Sequence, residues 1–358
     1  ATIVAARPAA LTAALGEDLA APGRVRFLPY LSGERTPHND AAIRGSFTGL
    51  GTETGREDLT RAVLEGVAFG LRDSFEALRA TGARLDTLIA IGGWGTYQKI
   101  ERFVAERQRF SPFRIPMVLV PASIDNNLPG TEFCIGSDTA LNNIVEALDK
   151  IRHTAGATRR AFIVEVMGRQ SGFLALMGAL ASGAEKAYLP ETGISLEDLI
   201  RDVETLKVSF RSGKRMVIFL RNEQSSYHYT TDFIRRLMEE ESKDEFEVRT
   251  AILGHVQRGG IPTAFDRIIA SRMGAFAAFR LLDSLKQQTN DAQVLGLAGR
   301  GIECFSLSEA MQQMDVKIGR PKTEWFMELL EVANALAKCS PVCQTIPVEA
   351  HELGSAGT

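Results

Sequence analysis

The chain has 358 residues and a formal net charge of −3 at pH 7, with 45% hydrophobic and 24% charged residues. This length is enough for about two domains with a substantial core. The small net charge gives no general attraction to nucleic acid or to an anionic membrane, and no apolar run reaches the roughly 20 residues that span a bilayer. We therefore expect a globular, cytoplasmic protein without a nucleic-acid or membrane partner.

The first quarter of the chain predicts a lead-in and one long helix. Residues 1–26 are rich in alanine and are interpreted as the lead-in, with residues 27–90 as the next segment. Between about Glu57 and Thr81, apolar residues recur at helical spacing. Gly82 then follows as a suitable residue to end that helix.

From residue 87 onward, strand and helix patterns alternate. Strands are predicted at 87–91, 117–122, 161–166, 215–220 and 248–255. Helices are predicted at 139–154, 171–183, 197–210, 230–242 and 264–285, and a helical pattern also follows residue 93. The alternation predicts an α/β fold with mainly parallel sheets flanked by helices. Residues 91–338 are interpreted as one domain and residues 339–358 as a loose tail.

The cysteines fall into two pairs. Cys134 and Cys304 lie in apolar surroundings, and we expect both to be buried free thiols. Cys339 and Cys343 form a C-x-x-x-C pair with only His351 nearby. A structural zinc site needs about four ligands, so none is expected here.

A strand, a glycine turn and a helix follow one another between Thr87 and Phe103. Such a turn often places backbone N–H groups and a helix N-terminus against a phosphate. The bulky indole of Trp94 in the middle of the turn is unusual for that purpose. The candidate nucleotide-binding residues are Gly92, Gly93, Gly95 and Thr96.

The segment from Val120 to Phe133 follows a predicted strand, where ligands bind in α/β sheets. It places Asp125 beside Ser123, Asn126 and Asn127, which can hold the carboxylate in a fixed position. One interpretation is a general base near a hydroxyl substrate. The alternative is a turn in which Asp and Asn side chains cap backbone groups.

Two further segments carry basic residues at strand ends. Arg169 lies at a strand-to-helix junction, where it suits a phosphoryl group as a bidentate clamp, or is simply a surface arginine. Arg249, His255 and Arg258 lie near another strand end, among glycines that let a ligand approach the backbone. They indicate a pocket for a sugar phosphate, although His255 taken alone is more typical of a core histidine.

Together these segments resemble the phosphofructokinase family over residues 89–338. The matching pieces include "IGGWGTY", "VPASIDNNLPGTEF", "FIVEVMGRQSG", "LRNE" and "RTAILGHVQRGGIPTAFDR". They are most like those of the long actinobacterial or eukaryotic-type enzymes. The resemblance implies a phosphofructokinase-like three-layer architecture with a replaced N-terminal part. It also implies phosphoryl transfer from ATP to the 1-hydroxyl of fructose 6-phosphate.

The resemblance also implies roles for individual residues. Asp125 would take the proton from the sugar hydroxyl, Ser123 would lie beside the transferred group, and Arg169 would stabilise its charge. The residues expected to line the sugar are Met167, Gly168 and Glu223, and those expected to hold the 6-phosphate are Arg160, Arg249, His255 and Arg258. Residues that match Arg160 and Arg249 often reach across from a neighbouring subunit, which implies a homo-oligomer, either a dimer or a tetramer. Arg152 matches an effector-binding position in some members.

The metal and the phosphoryl donor also follow from the resemblance. Catalytic members carry an aspartate that serves Mg²⁺ where this chain has Trp94, although some long members also lack it, so the resemblance leaves the metal ligands unknown. The pyrophosphate-using branch tends to have Asp and Lys at the places of Gly95 and Ala122. Small residues at both places therefore favour ATP.

Residues 26–92 resemble a different family, the FGGY carbohydrate kinases, and xylulokinase most of all. The matching segments are "RFLPYLSGERTPHNDAAIRGSFTGL" and "REDLTRAVLEGVAFGLRDSFEALRATG". The catalytic aspartate of that family lies upstream of this block, and the glycine loop for ATP at the start of the phosphofructokinase fold has no counterpart in the first quarter. The sequence is therefore interpreted as a chimera joined at Gly92-Gly93.

Three functions are compatible with the sequence. The first is an ATP-dependent phosphofructokinase-type enzyme with impaired activity. The second is a sugar-phosphate-binding protein without turnover. The third is a xylulokinase-like pentulose kinase, which the missing base disfavours.

Overall fold

The computed structural model describes residues 15, 21–34, 38–82, 86–154 and 159–337. The chain divides into two units, residues 1–86 and residues 87–358. The division falls after Asp86 rather than after residue 90, because the strand at Leu88–Gly92 pairs within the second unit. The predicted tail, with Cys339, Cys343 and His351, and most of the predicted lead-in lie outside the described residues.

The first unit contains a short hairpin and the predicted long helix. Its elements are β1 (Arg26–Leu28), β2 (Ser46–Thr48) and α1 (Arg56–Ala80), and the two strands pair antiparallel. Gly82 has a φ of 85°, as expected for a residue that ends a helix. A Cβ atom at Gly66 would collide with the backbone carbonyl of Phe27. Glycine at this position therefore permits the close approach of α1 to β1.

In the residues that the structure describes, the second unit holds two four-stranded sheets and one short two-stranded ladder. The first sheet contains β3 (Leu88–Gly92), β4 (Met117–Pro121), β9 (Ala292–Ala298) and β10 (Gly301–Ser306), in the order β10-β9-β4-β3. The second contains β5 (Arg160–Val166), β6 (Lys186–Tyr188), β7 (Met216–Asn222) and β8 (Glu247–Ile252), in the order β6-β7-β5-β8. The ladder joins β11 (Met314–Asp315) to β12 (Arg320–Pro321). Apart from the antiparallel β9–β10 pair, the strands of both four-stranded sheets run parallel.

Helices cover both faces of each sheet in the second unit. They are α2 (Trp94–Ala105), α3 (Ser137–His153), α4 (Phe173–Ser182), α5 (Leu196–Arg211), α6 (Thr231–Ser242), α7 (Ala264–Gln287), α8 (Leu307–Gln313) and α9 (Leu330–Ala337). In β5, Ile163 packs against α5 and α6, whereas the next residue, Val164, packs against α3 and α4. Both side chains are fully buried, which is typical of a parallel strand covered on two sides. The predicted three-layer α/β architecture is therefore confirmed for this unit.

The thiols differ from each other in burial. Cys134 is fully buried as predicted, but Cys304 is only partly buried, and its Sγ lies 3.2 Å from Oε1 of Gln293. The prediction of a buried thiol was therefore wrong in degree for Cys304, because β10 is an edge strand with one partner. Within the described residues, no helix is long and apolar enough to cross a membrane.

Candidate active site

A cleft of about 720 Å³ opens where strands β3, β4 and β5 end. The carboxyl ends of parallel strands are the usual place for a ligand in an α/β fold. Predicted site residues from four separate turns line it: Gly93, Gly95, Thr96, Ser123, Asp125, Met167, Arg169 and Arg258. The fold therefore brings together residues that lie up to 165 positions apart in the chain, from Gly93 to Arg258.

The turn after β3 shapes one wall of the cleft. A Cβ atom at Gly92 would collide with the side-chain hydroxyl of Thr96, so glycine there leaves room for Thr96 in its present rotamer. Gly93 is the N-cap of α2 and offers no side-chain cap, which leaves the first N–H groups of the helix without a partner inside it. A Cβ atom at Gly95 would have nothing within 4 Å. The cleft therefore has free space at Gly95, beside helix N–H groups that suit an anion.

Trp94 occupies the same wall and contributes packing rather than charge. Its ring belongs to the core cluster around α2 and β4, and it is partly buried. A Cβ atom at Gly319 would lie 3.6 Å from Cδ1 of Trp94, so the backbone between β11 and β12 runs past the indole. Asn127 fixes that backbone, because its Nδ2 donates to the carbonyl oxygen of Gly319 at 3.0 Å.

In the turn after β4, some polar side chains stabilise the backbone and one faces the cleft. The Asn126 side chain bonds to the backbone on both sides, donating to the carbonyl of Glu132 at 2.8 Å and accepting from the N–H of Cys134 at 2.7 Å. These bonds hold Asn126 at a φ of 51°, in the left-handed region. The Ser123 hydroxyl accepts from the N–H of Asp125 at 3.2 Å. The amide side chains thus serve the turn, while the Asp125 carboxylate faces the cleft.

Asp125 and Arg169 form an ion pair at the centre of the cleft. Oδ2 of Asp125 lies 3.7 Å from Nε of Arg169, and the two side chains are 13% and 71% exposed. Burial raises the pKa of Asp125, and the nearby Glu223 raises it further, while Arg169 and Arg258 oppose the shift. A carboxylate with a raised pKa beside two arginines fits a general base that faces an anionic ligand.

The loop Gly168–Gly172 presents Arg169 in a conformation that most residues avoid. Arg169 has a φ of 50° and Gly168 a φ of 137°. The N–H of Arg169 donates to Oε1 of Glu223 at 3.1 Å, so Glu223 holds the loop from β7. A non-glycine residue at positive φ is uncommon and often lies at a functional site.

Arg258 reaches the cleft from a short 3₁₀ turn at 254–258, which Gln257 fixes in place. Gln257 is 1% exposed, and its Oε1 accepts from the N–H of Met167 at 3.1 Å. Its Nε2 donates to the carbonyl of Gly254 at 2.9 Å. Gln257 was not predicted as a site residue, although its place directly before Arg258 was a usable signal.

Three of the predicted phosphate-binding residues do not reach the cleft of their own chain. Arg160 starts β5, and Arg249 lies in β8 opposite Phe162, so both are near the amino ends of their strands. Both pair with Glu247, at 3.0 Å and 3.3 Å. His255 is exposed and does not line the cleft. It is therefore not a core histidine, and it does not contribute to the cleft of its own chain. The expectation of one cluster around a single strand end is therefore wrong within one chain.

Other residues were missed or have a structural explanation. Lys99 lines the cleft four residues after Gly95, and helical periodicity identifies it. Ile318 also lines it, but no local pattern predicts that contact because it comes from a distant hairpin. Arg152, the predicted effector residue, donates to the carbonyl oxygens of Ser182 and Gly183, the latter at 3.0 Å.

The cleft offers few ligands for a metal ion. In the part of the chain that the structure describes, no group of three or more His, Cys, Asp or Glu side chains could hold a metal. Asp125 is the acidic side chain among the described residues that line the cleft. Since Mg²⁺ is usually bound by one or two carboxylates together with substrate phosphates, the cleft does not fit a metal ion held by the protein alone.

Comparison with known proteins relates this chain to the phosphofructokinases. The phosphofructokinase family model matches residues 45–281. The chain is 38% identical over 271 residues to an ATP-dependent 6-phosphofructokinase of Dictyostelium discoideum, which covers 74% of this chain and 32% of the relative. It is 39% identical over 264 residues to the platelet-type ATP-dependent 6-phosphofructokinase of Homo sapiens, which covers 71% and 34%.

A solved structure is also similar to this chain. The phosphofructokinase of Saccharomyces cerevisiae superimposes with a TM-score of 0.70 and 31% sequence identity, covering 76% of this chain and 37% of that chain. The chain thus spans about a third of the length of the curated relatives that it matches. The family match begins at residue 45, inside the segment that resembles FGGY kinases.

Proposed function

The chain belongs to the phosphofructokinase family, and on that premise we propose that its cleft supports phosphoryl transfer from ATP to the 1-hydroxyl of fructose 6-phosphate. The observation that carries the proposal is the Asp125–Arg169 pair in a cleft at the carboxyl ends of three strands. A base and a cation side by side match a reaction in which the sugar 1-hydroxyl gives its proton to the base, its oxygen takes the anionic phosphoryl group from ATP, and ADP leaves.

Asp125 acts as the general base in this proposal. It lies in a largely dry position, and its raised pKa makes its carboxylate a stronger proton acceptor than an exposed aspartate. Arg169 is mostly exposed, so its guanidinium can turn from Asp125 to the phosphoryl oxygens when a ligand enters. Arg258, which also lines the cleft, adds a second cation for the sugar phosphate.

ATP is proposed as the phosphoryl donor because the turn after β3 leaves room for a nucleotide. Gly95 and Ala122 both line the cleft, and a Cβ atom at Gly95 meets nothing within 4 Å. Acidic or long basic side chains at these places would fill that space. No step is assigned to a metal ion, since Asp125 is needed as the base.

A homo-oligomer is proposed because two phosphate-binding residues are far from the cleft of their own chain. Arg160 and Arg249 share Glu247 at the opposite end of the second sheet from Arg258. In a dimer or tetramer they are proposed to reach the 6-phosphate in the cleft of a neighbouring copy. The ion pairs with Glu247 are 28–60% exposed and are worth little on their own, so they do not prevent this role.

The second candidate is a sugar-phosphate-binding protein without turnover. Trp94 favours it, because an indole at the N-terminus of α2 provides no carboxylate for a metal ion.

We also propose that residues 26–92 derive from an FGGY carbohydrate kinase. The continuous sequence signature of this segment supports that origin.

Binding and turnover experiments separate these candidates. Calorimetry with fructose 6-phosphate should give saturable heat, whereas xylulose should give none. Arg258→Ala should weaken the sugar phosphate at least about tenfold, since a charge-assisted contact is worth about 1.5–3 kcal/mol. Arg272→Ala on α7, outside the cleft, is the matched control. A coupled ADP assay then distinguishes an enzyme from a binding protein, and absence of heat at millimolar sugar phosphate would discard both.

A further inference from the structure

Three buried charged residues lie directly behind the loop that presents Arg169. They are Arg320 on β12, Glu324 in the following turn, and Glu191 after β6, with side chains 18%, 5% and 7% exposed. Nη1 of Arg320 lies 3.4 Å from Oε1 of Glu191, and its Nε lies 3.9 Å from Oε2 of Glu324. One arginine thus joins two buried carboxyl groups.

Each of the three contacts a different residue of the loop Gly168–Gly172. Arg320 donates to the carbonyl oxygen of Gln170 at 2.9 Å. Glu324 hydrogen bonds with the side chain of Ser171. Glu191 accepts from the N–H of Gly172 at 2.7 Å. Three consecutive loop residues are therefore held from behind by one cluster, and the strained Arg169 comes immediately before them.

Each of the two carboxyl groups has one buried oxygen without a hydrogen-bond partner. Oε2 of Glu191 and Oε1 of Glu324 are buried and accept no hydrogen bond. An unsatisfied buried acceptor is costly, whereas one shared proton satisfies both oxygens. With that proton the cluster has one positive and one negative charge, and without it a net negative charge is buried. Burial and the neighbouring Glu191 raise the pKa of Glu324 to about 9, with Arg320 opposing.

We propose that Arg320 is a positioning residue for Arg169, and that a proton shared by Glu191 and Glu324 prevents these two carboxyl groups from repelling each other and so keeps both against the loop. The consequence for phosphoryl transfer rests on the proposed function, but the consequence for the loop does not. Arg320 itself touches no ligand in this proposal, because its guanidinium lies behind the loop and is bonded to Gln170 O. Its effect reaches the cleft through the backbone of residues 168–172.

The first test measures amide hydrogen exchange in the peptide that contains residues 168–172. Arg320→Met should lower the protection of this peptide at least tenfold while the midpoint of thermal unfolding stays close to that of the wild type. Arg272→Met is the matched control, since Arg272 also donates to a backbone carbonyl, that of Arg300 at 2.9 Å, away from the cleft. Unchanged protection in Arg320→Met would overturn the proposal.

A second test uses pH and keeps the proposal falsifiable if Arg320→Met fails to fold. The groups whose charges act on Glu324 are Glu191 and Arg320. In the wild type, loop protection corrected for intrinsic exchange should fall as pH rises through about 9, the pKa of Glu324. Glu324→Gln carries a permanent neutral donor, so its loop should stay protected and the step should disappear. A step that persists in Glu324→Gln would refute the shared proton.

Kinetics separate failure of this proposal from failure of the proposed function. If the wild type turns over, Arg320→Met should lower kcat about tenfold and change KM for fructose 6-phosphate less than threefold, because Arg169 acts on the transferred group. If the wild type shows no turnover but the exchange results hold, the proposed function fails and the positioning role stands. A fall in loop protection with unchanged kcat would overturn the catalytic part of the proposal.

Discussion

Oδ2 of Asp125 and Nε of Arg169 lie 3.7 Å apart in the cleft, but the aspartate side chain is 13% exposed and the arginine side chain 71%. The pair is therefore asymmetric, with a nearly dry carboxylate and a guanidinium that water reaches. A partly exposed ion pair of this length is worth little stability, so a phosphate group can replace it at small cost. This relationship is the basis for the first two predictions.

Asp125→Asn should reduce turnover about 10²–10⁴-fold, because the amide keeps the shape and cannot accept the proton. Affinity for fructose 6-phosphate should change less than threefold, since the cations supply that binding. Steady-state rates and calorimetry on the same preparations measure the two effects. Full turnover in the Asn variant would exclude Asp125 as the base.

The pH profile of kcat/KM should show an acid limb set by Asp125. Burial, followed by Glu223, raises the pKa of this carboxyl group, so the limb should lie at higher pH than for an exposed aspartate. Only the ionised form accepts a proton, so the rate falls as pH decreases through that pKa. Glu223→Gln should move the limb to lower pH, and Arg258→Met should move it to higher pH. No movement in either variant would contradict the assignment.

The local elements were predictable from the sequence because their signals are local. The helix predicted from about Glu57 to Thr81 is observed at Arg56–Ala80, and the strand predicted at 117–122 is observed at Met117–Pro121. The β9–β10 hairpin at 292–306 was not predicted. Its tight contact with the turn after β4, where a Cβ atom at Gly130 would collide with the ring of Phe305, links residues 175 positions apart. No local pattern contains that information.

In the candidate site, too, some residues could be predicted from local sequence signals and others could not. Asp125 and Arg169 follow predicted strands, and parallel strands end at one edge, so their meeting was predictable. The separation of Arg249 from Arg258 depends on which end of β8 each one occupies, and a nine-residue sequence distance does not reveal that. The Arg320 contact to Gln170 spans 150 positions and depends entirely on the fold.

Gly168→Ala should destabilise the protein and reduce turnover. A Cβ atom there would lie 2.5 Å from the carbonyl oxygen of Ser171 and 2.6 Å from Nδ2 of Asn222, at a φ of 137°. Strain of this kind costs on the order of 1–3 kcal/mol. The matched control is Gly274→Ala in the exposed interior of α7, where nothing lies within 4 Å, and it should stabilise by about 0.5–1 kcal/mol. Urea unfolding compares the two, and equal stabilities would contradict the loop strain.

Mixing two inactive variants should restore activity if Arg249 serves a neighbouring cleft. A subunit with Asp125→Asn has an inactive cleft but supplies an intact Arg249 to its neighbour. A subunit with Arg249→Ala has an intact Asp125 in its own cleft. In a random mixture of dimers, half are hybrids with one working cleft, so about a quarter of the wild-type rate should return. The control mixture combines Asp125→Asn with Arg258→Ala, whose defects lie in the same cleft, and should stay inactive. Equal rates in both mixtures would argue against sharing between subunits.

Gly95→Asp should weaken ATP and leave fructose 6-phosphate affinity unchanged. The new carboxylate would enter open space in the cleft and repel the nucleotide phosphates. Gly274→Asp, an exposed helix position outside the cleft, controls for the added charge. Equilibrium binding of a labelled ATP analogue gives the measurement. Unchanged ATP affinity would mean that the nucleotide binds elsewhere.

Turnover with ATP and Mg²⁺ should lie below the ordinary enzyme range of about 1–10³ s⁻¹. Phosphoryl transfer depends mainly on positioning and on charge neutralisation by metal ions. In the described part of the chain, the cleft offers Asp125 as its acidic side chain, and the proposed chemistry uses that group as the base. Trp94 at the start of α2 packs against the core and adds no metal ligand.

Trp94→Asp should therefore raise the rate at saturating Mg²⁺ relative to the wild type, provided that its thermal unfolding midpoint shows a folded protein. Trp94→Asn is the control: asparagine is similar in size to aspartate but carries no charge, so it separates the effect of the carboxylate from the loss of the indole. A wild-type rate inside the ordinary range would show that the phosphates of the nucleotide hold the metal ion without a second protein carboxylate.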